Sequence, residues 1–223
     1  MTEPAVAWQP FERRAAGYEA WYATAQGRRA DLAERALLAR LLGPFATAPS
    51  ALEVGCGTGH FTRWLAGRLP RVAGLDRARA MLMEALRRHP GLSLVHGDAL
   101  HLPIRSRAID LSVFVLTLEF VERPELALAE AVRVARQGVL VVALSRWSLG
   151  GFSRRWGRAA RGSMLGRAQD FTLASLRQLA STAAGPRFRA FRWASALFPD
   201  GLGQAPARIP LGDVIGIAVE LAP

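Results

Sequence analysis

The ten residues LEVGCGTGHF (52–61) place Gly55, Gly57 and Gly59 within five positions, directly after a run of apolar residues. Glycine loses more backbone entropy on folding than any other residue, so such a cluster indicates a tight turn or a close backbone approach. A glycine-rich turn between a strand and a helix brings free backbone N–H groups and the helix N-terminus up to a ligand. The stretch therefore predicts a strand, a binding turn and a helix, in that order.

Outward from this turn, apolar segments alternate with segments of helical periodicity. The apolar segments predict strands at 51–54, 71–75, 92–95, 109–115 and 139–144. The periodic segments predict helices at 60–69, 78–89 and 124–136, preceded by an irregular, aromatic-rich segment at 1–27 and a helix at 28–42. In that first helix the apolar residues at helical spacing are Leu32, Leu37, Leu38, Leu41 and Leu42. Such alternation is typical of a parallel sheet covered by helices, and the segment at 109–115, apolar on both faces, is expected at its centre.

The C-terminal part breaks the alternation. A helix is predicted at 172–183, capped by Thr172, followed by strands at 187–194 and 214–221 that pair antiparallel. We therefore predict an α/β, Rossmann-like doubly wound fold: a mostly parallel seven-stranded sheet with an antiparallel C-terminal strand pair and helices on both faces. The 223 residues are expected to form one domain, with an N-terminal lid and helix at 1–45, a ligand-binding core at 46–145, a basic insertion at 146–170 and closing elements at 171–223.

Composition limits the class of protein. The net charge is +11 and the sequence contains no Lys, so each of its 29 basic residues is Arg. This is interpreted as a compositional bias, with a functional basic surface as the alternative. The single cysteine excludes an internal disulfide and a multi-cysteine metal site, and no metal is expected. No transmembrane segment or signal peptide is predicted, so a cytoplasmic protein is expected.

Two carboxylates follow the predicted strands after the glycine turn. Asp76 closes the second strand and Asp98 follows the third, so both are expected at the edge of the sheet where α/β folds bind ligands. A dinucleotide-binding turn has a glycine at its sixth position, where this chain has His60. Three interpretations stay open on the residues alone: a dinucleotide, another nucleoside-type ligand, or a tight turn with two helix-capping aspartates.

The successive stretches ALEVGCGTGHF, GLDRARAML, VHGDALHLP and IDLSVFVLTLEFVERPELALAEAVRVARQGVLVV resemble the motifs of class I S-adenosylmethionine-dependent methyltransferases, over roughly residues 48 to 145. The small-molecule branch called type 11, which includes quinone-biosynthesis enzymes, is the most similar. The resemblance implies that S-adenosyl-L-methionine is the cofactor. It implies cofactor contacts at Tyr18, Glu53, Gly55, Cys56, Gly57, Gly59, Asp76, Arg77, Met81, Asp98, Ala99, Val115 and Leu116.

The resemblance leaves the catalytic group open. The candidate bases are His60, Glu119, Tyr18 and, more weakly, Tyr22. The residue after Glu119, often His in relatives, is Phe120 here, so catalysis by positioning and desolvation is favoured over acid–base catalysis. Cys56 is interpreted as a small residue of the loop, with a nucleophile as the alternative.

The methyl acceptor is expected to be a small molecule. The candidate acceptor-binding residues are Tyr22, Thr117, Arg146, Trp147, Arg154 and Arg155. Two alternatives remain at this point. The chain could instead methylate RNA or a protein through the basic segment at 146–170, which could also lie on an anionic membrane, or it could be a non-catalytic, cofactor-binding partner protein.

Overall fold

A computed structural model of the chain describes residues 8–148, 168–199 and 205–223. The seven strands of its sheet are β1 Ser50–Val54, β2 Arg71–Asp76, β3 Ser93–His96, β4 Ile109–Val115, β5 Ala135–Leu144, β6 Phe188–Ala196 and β7 Val214–Leu221. They are ordered β3-β2-β1-β4-β5-β7-β6 across the sheet. The first five are parallel, whereas β7 lies antiparallel between β5 and β6. The predicted fold class is confirmed, with β4 at the centre of the sheet.

Helices cover both faces of the sheet. They are α1 Gln9–Tyr18, α2 Ala25–Leu42, α3 His60–Ala66, α4 Arg79–Arg88, α5 Pro124–Val134 and α6 Leu173–Ala184. Side chains alternate between the faces along a strand, so Phe114 of β4 packs in the apolar cluster formed with α5 and α6. Its neighbours Val113 and Val115 pack in the opposite cluster, with α2 and α3. Among the described helices, none is long and apolar enough to span a membrane.

The N-terminal segment differs from the sequence prediction. Residues 1–27 were expected to be irregular, but α1 begins at Gln9 and a 3-10 turn follows at Glu19–Ala23. Only Ala15 of α1 is buried, so the helix has no broad apolar stripe that periodicity could detect. The helix is held by packing on α4 and by Glu12, whose carboxylate accepts a hydrogen bond from the backbone N–H of Ala80 at 3.1 Å.

Two further predictions are corrected. Leu32 was placed with the apolar residues of α2, but it is 70% exposed, whereas Leu37 and Leu38 are fully buried. The helix predicted at 124–136 ends at Val134, and β5 begins at the next residue instead of at 139. The polar Arg136 and Gln137 mask this early start because their side chains bond outside the strand, to backbone carbonyls and to the carboxylate of Asp110.

The C-terminal elements agree with their sequence signals. The hydroxyl of Thr172 accepts a hydrogen bond from the backbone N–H of Ser175 at 3.0 Å, and the Ser175 hydroxyl accepts one from the N–H of Thr172 at 2.9 Å. This reciprocal cap begins α6 at the predicted position. The helix and the β6–β7 pair cover the edge of the parallel sheet and extend its core.

Candidate functional site

The glycine turn lies at the carboxyl ends of β1 and β4. Gly55, Gly57 and Gly59 have φ of 76°, 54° and 79°, a region that favours glycine. A Cβ on Gly55 would lie 2.1 Å from the Cγ2 atom of Thr117, so the turn packs directly on the segment after β4. A Cβ on Gly57 would meet nothing within 4 Å, and Gly57 lines a cavity, so its backbone is accessible from that cavity.

Asp76 ties the end of β2 to the glycine turn. One carboxylate oxygen accepts a hydrogen bond from the N–H of Gly57 at 2.7 Å, and the other accepts one from the N–H of Ala78 at 2.8 Å. Burial raises the pKa of Asp76, and these backbone donors offset part of that rise. The carboxylate lines the cavity and keeps lone pairs for further hydrogen-bond donors.

Asp98 stands at the rim of the same cavity. It accepts a hydrogen bond from the N–H of Leu100 at 3.0 Å, and its other oxygen lies 3.3 Å from a guanidinium nitrogen of Arg77. That guanidinium lies over the ring of Trp8, 5.2 Å from its centroid. Asp98, Arg77 and Trp8 therefore form one polar and aromatic edge of the cavity.

Two buried groups lie beneath the turn. Burial raises the pKa of Glu53 to about 8, although the hydroxyl of Thr62 donates a hydrogen bond to its carboxylate. Burial likewise raises the pKa of the Cys56 thiol well above its ordinary value, which disfavours a nucleophilic thiolate. A Cβ on Gly74 would lie 2.7 Å from the Cys56 sulfur, so the glycine in β2 makes room for the loop.

The N-terminal elements close the cavity from the side opposite the strands. The hydroxyl of Thr58 donates to the carboxylate of Glu19, which also lies 3.7 Å from His60 Nδ1. The Nε2 atom of His60 is 2.7 Å from a carboxylate oxygen of Asp31, and the imidazole stacks on Tyr22 with ring centroids 3.8 Å apart. His60 thus holds the N-terminal segment against the glycine turn.

The structure brings most of the predicted cofactor residues to this one cavity. All of them line it except Gly59, which lies behind it as the N-cap of α3 and packs against Leu92. Four aromatic side chains form much of the N-terminal wall, and they are Trp8, Phe11, Tyr18 and Tyr22. Trp8 and Phe11 were not predicted as site residues, because the direction of an aromatic side chain cannot be inferred in a segment that is expected to be irregular.

The catalytic candidates separate in the structure. His60 and Tyr18 line the cavity, and burial raises the pKa of Tyr18 far above its ordinary value. Glu119 does not line it, because its buried carboxylate turns to the backbone N–H of Leu144 at the end of β5. The sequence prediction of Glu119 as a pocket base is therefore corrected to a residue that joins β5 to the segment after β4.

The acceptor candidates also separate. Tyr22 and Thr117 line the cavity, whereas Arg146 and Trp147 do not, and Trp147 is 62% exposed. Arg154 and Arg155 lie outside the described residues. Among the described residues, no group of three metal-ligating side chains is present.

A second cavity adjoins the first. They share the walls made by Phe11, Tyr18, Tyr22, Leu116 and Phe120. The second cavity extends from these residues toward α2 and the residues that flank β6 and β7. The arrangement supplies one chamber at the glycine turn and another next to it, separated by aromatic side chains.

Comparisons with known proteins agree with this architecture. A family model described as a methyltransferase domain matches residues 52–143. The chain is 34% identical over 134 residues to a malonyl-[acyl-carrier protein] O-methyltransferase of Serratia marcescens, covering 59% of this chain and 49% of that protein. It is 38% identical over 107 residues to the Methylococcus capsulatus protein of the same name, covering 44% and 37%. The chain thus spans about half the length or less of these curated relatives.

Solved structures extend the likeness to nearly the whole chain. A SAM-dependent methyltransferase from Thermotoga maritima is 25% identical, with a TM-score of 0.79 over 96% of this chain and 99% of that one. A plantazolicin methyltransferase, solved with S-adenosylhomocysteine (SAH) and a triazolic desmethyl analogue, is 16% identical with a TM-score of 0.63, over 96% and 98% of the two chains. The second likeness is one of fold.

Proposed function

Because this chain belongs to the class I S-adenosylmethionine-dependent methyltransferase family, we propose that it transfers a methyl group from that cofactor to a small molecule. The observation that carries the proposal is the cavity at the glycine turn. There, the open peptide of Gly57 and the carboxylates of Asp76 and Asp98 face one chamber. These groups come from three separate strand ends, so the fold itself assembles the site.

The residues present fit this cofactor. Carboxylates accept hydrogen bonds from hydroxyl and amino groups, so Asp76 suits the ribose and Asp98 the adenine edge. Apolar side chains such as Met81 and Leu100 line the same chamber and suit the flat face of a base. The bound cofactor supplies an electrophilic methyl group on a sulfonium. The positively charged Arg77 lies at the rim, paired with Asp98.

The chain's own contribution is alignment and exclusion of water. The aromatic wall of Phe11, Tyr18 and Tyr22 stands between the cofactor chamber and the second cavity. Burial keeps the Tyr18 phenol and the Cys56 thiol protonated at neutral pH, so neither acts there as an anionic nucleophile. We therefore favour in-line transfer within a dry, apolar chamber, by positioning and desolvation.

The small-molecule acceptor has two supports. The second cavity is lined by side chains of several elements and adjoins the cofactor chamber, as an acceptor site requires. The curated relatives named above are O-methyltransferases of malonyl-[acyl-carrier protein], so by name they modify an acyl group. The described residues of the basic segment, 146–148 and 168–170, line neither of the two cavities.

Calorimetric titration with SAH tests the cofactor assignment. The native protein should bind it, and Asp76→Ala should weaken binding about tenfold or more, because two backbone donors and the ligand lose their acceptor. The matched control Glu125→Ala changes an exposed carboxylate outside both cavities and should leave affinity unchanged. Equal affinities for native and Asp76→Ala protein would contradict the assignment.

A further inference from the structure

The second cavity has a wall that the cofactor does not explain. Apart from the shared aromatic residues, it is bounded by Trp21, by Glu34 of α2 and by Phe198 after β6. Most of this surface is apolar or aromatic, which suits the body of an organic ligand. Glu34 is the buried acid in this wall, at 2% exposure.

The buried carboxyl group of Glu34 is expected to destabilise the fold in this position. Its Oε2 atom has no hydrogen-bond partner among the described residues. A buried carboxyl group without such a partner destabilises the fold and is expected where a ligand supplies the missing donor. Burial, together with the nearby carboxylates of Asp31 and Glu119, raises its pKa to about 8. A cationic ligand would relieve both penalties.

The carboxylates close to Glu34 favour a cation beside it. The carboxylates of Asp31 and Glu119 act on Glu34 with the same sign, and Asp213 also lines the cavity. Arg35 opposes them, and its pair with Asp31 at 2.6 Å offsets the charges of both residues.

Two other arginines line the cavity and must be considered. The guanidinium of Arg29 donates to the backbone carbonyl of Phe198 at 2.5 Å, so it holds the segment after β6. Arg14 projects from α1 and is exposed, so water screens its charge. Arg29 keeps its positive charge at that end of the cavity, and Glu34 is the buried one of the acidic residues in the lining.

The aromatic walls reinforce this preference. Tyr18, Tyr22 and Trp21 line the same chamber as Glu34, and aromatic faces attract ammonium groups. The carboxyl of Glu34 contributes to the rise in the pKa of both tyrosines, which places its charge close to their hydroxyls. A carboxyl group beside several aromatic rings matches a basic amine on an apolar body.

We propose that the second cavity binds the methyl acceptor, that the acceptor is a small apolar or aromatic molecule with a basic amine, and that Glu34 selects the protonated amine. The claim that the ligand is a methyl acceptor rests on the proposed function. The claim that the ligand carries an amine rests on the cavity alone. It differs from what the curated relatives' names describe, which is an acyl acceptor.

Three ligands of matched shape test the proposal by calorimetry: 2-phenylethylamine, 2-phenylethanol and 3-phenylpropionate. Each is titrated into native protein with and without saturating SAH. The amine should bind about tenfold or more tightly than the alcohol and the acid, because it alone pairs with Glu34. Glu34→Gln should remove this preference while keeping its SAH affinity. The control Glu125→Gln, an exposed substitution of the same kind, should keep both.

Each outcome decides the matter. Tighter binding of 3-phenylpropionate would assign the cavity to anions through Arg14 and Arg29 and overturn the proposal. Equal binding, no binding, or an amine preference that persists in Glu34→Gln would overturn it as well. If Glu34→Gln does not fold, the order of affinities in the native protein decides. An amine preference in a protein that fails to bind SAH would leave the cavity assignment standing and reject the methyltransferase proposal.

Discussion

The two neighbouring cavities are built in different ways. The first is formed by backbone turns and strand-end carboxylates, with Asp76 as the last residue of β2 and Gly57 and Asp98 in the turns after β1 and β3. The second is formed by side chains of α1, α2 and the C-terminal strands, with Trp21, Glu34 and Phe198 far apart in the sequence. Backbone groups suit a ligand common to many proteins, whereas side chains suit a particular one. In the proposed function, the turn recognises the cofactor and the second cavity selects the acceptor.

The largest expected effect comes from the backbone of the turn. Gly55→Ala combines a φ of 76° with a Cβ 2.1 Å from Thr117, so the free energy of unfolding should fall by ~3 kcal/mol or more. Urea denaturation measures the loss. Gly57→Ala has the same type of φ but open space, so it should cost ~1 kcal/mol and act mainly on SAH affinity.

Gly43→Ala is the matched control for both substitutions. Its φ is −46° and a Cβ there meets nothing within 4 Å, so stability should stay the same or rise slightly. Equal losses at Gly55 and Gly57 would show that packing of the turn on Thr117 adds nothing to its backbone strain. The proposal that the turn at Gly55 is stabilised by packing on Thr117 would then be wrong.

The next expected effect is on the pH dependence of stability, and it is tested with one buried glutamate from each cavity. Burial raises the pKa of Glu53 in the first cavity and of Glu34 in the second to about 8. The folded protein therefore holds more protons than the unfolded chain between about pH 4.5 and pH 8, and stability falls as pH rises through this window. Each Glu→Gln substitution should remove up to ~5 kcal/mol of that fall, at about 1.36 kcal/mol per pH unit, measured by urea denaturation at several pH values. A pH dependence that both variants retain would refute the assignment.

The smallest effect concerns the link between the N-terminal segment and the turn. Glu19→Gln weakens the hydrogen bond from Thr58 and removes the charge facing His60, so unfolding free energy should fall by ~1 kcal/mol. SAH should also dissociate faster, as followed by stopped-flow fluorescence. Glu125→Gln, in an exposed pair with Arg123, should change neither quantity. An unchanged dissociation rate in Glu19→Gln would mean that the N-terminal segment closes the cavity without this contact.

The glycine turn and its carboxylates could be predicted because their signals are local. A turn that needs a positive φ favours glycine at its positions, and Asp76 ends one predicted strand while Asp98 comes shortly after the next. The strand order then follows from the rules of parallel α/β sheets. The same reasoning placed β4 at the centre, since a strand apolar on both faces needs cover on both sides.

Other residues could not be placed from the sequence. His60 was predicted as a candidate base, and its contacts with Asp31 and Glu19, which join positions 29 and 41 residues away, were not foreseen. The Glu119 carboxylate was expected in the pocket and instead binds the end of β5. The direction of one side chain depends on rotamer packing against distant elements, which periodicity does not encode.

The sequence by itself determined the class of the fold and the glycine turn, because these depend on backbone conformation and on short spacings between residues, and its resemblance to known motifs predicted the cofactor. Only the tertiary structure decided that Phe11, Tyr18 and Tyr22 divide two cavities and that Glu34 lies buried in the second. The physical reason is that the burial of a side chain and its hydrogen-bond partners depend on residues that are distant in the sequence and meet only in the folded protein. Glu34 becomes buried, and its Oε2 atom loses hydrogen-bond partners, only when α1, α2 and the C-terminal strands come together. This burial raises the pKa of Glu34 to about 8.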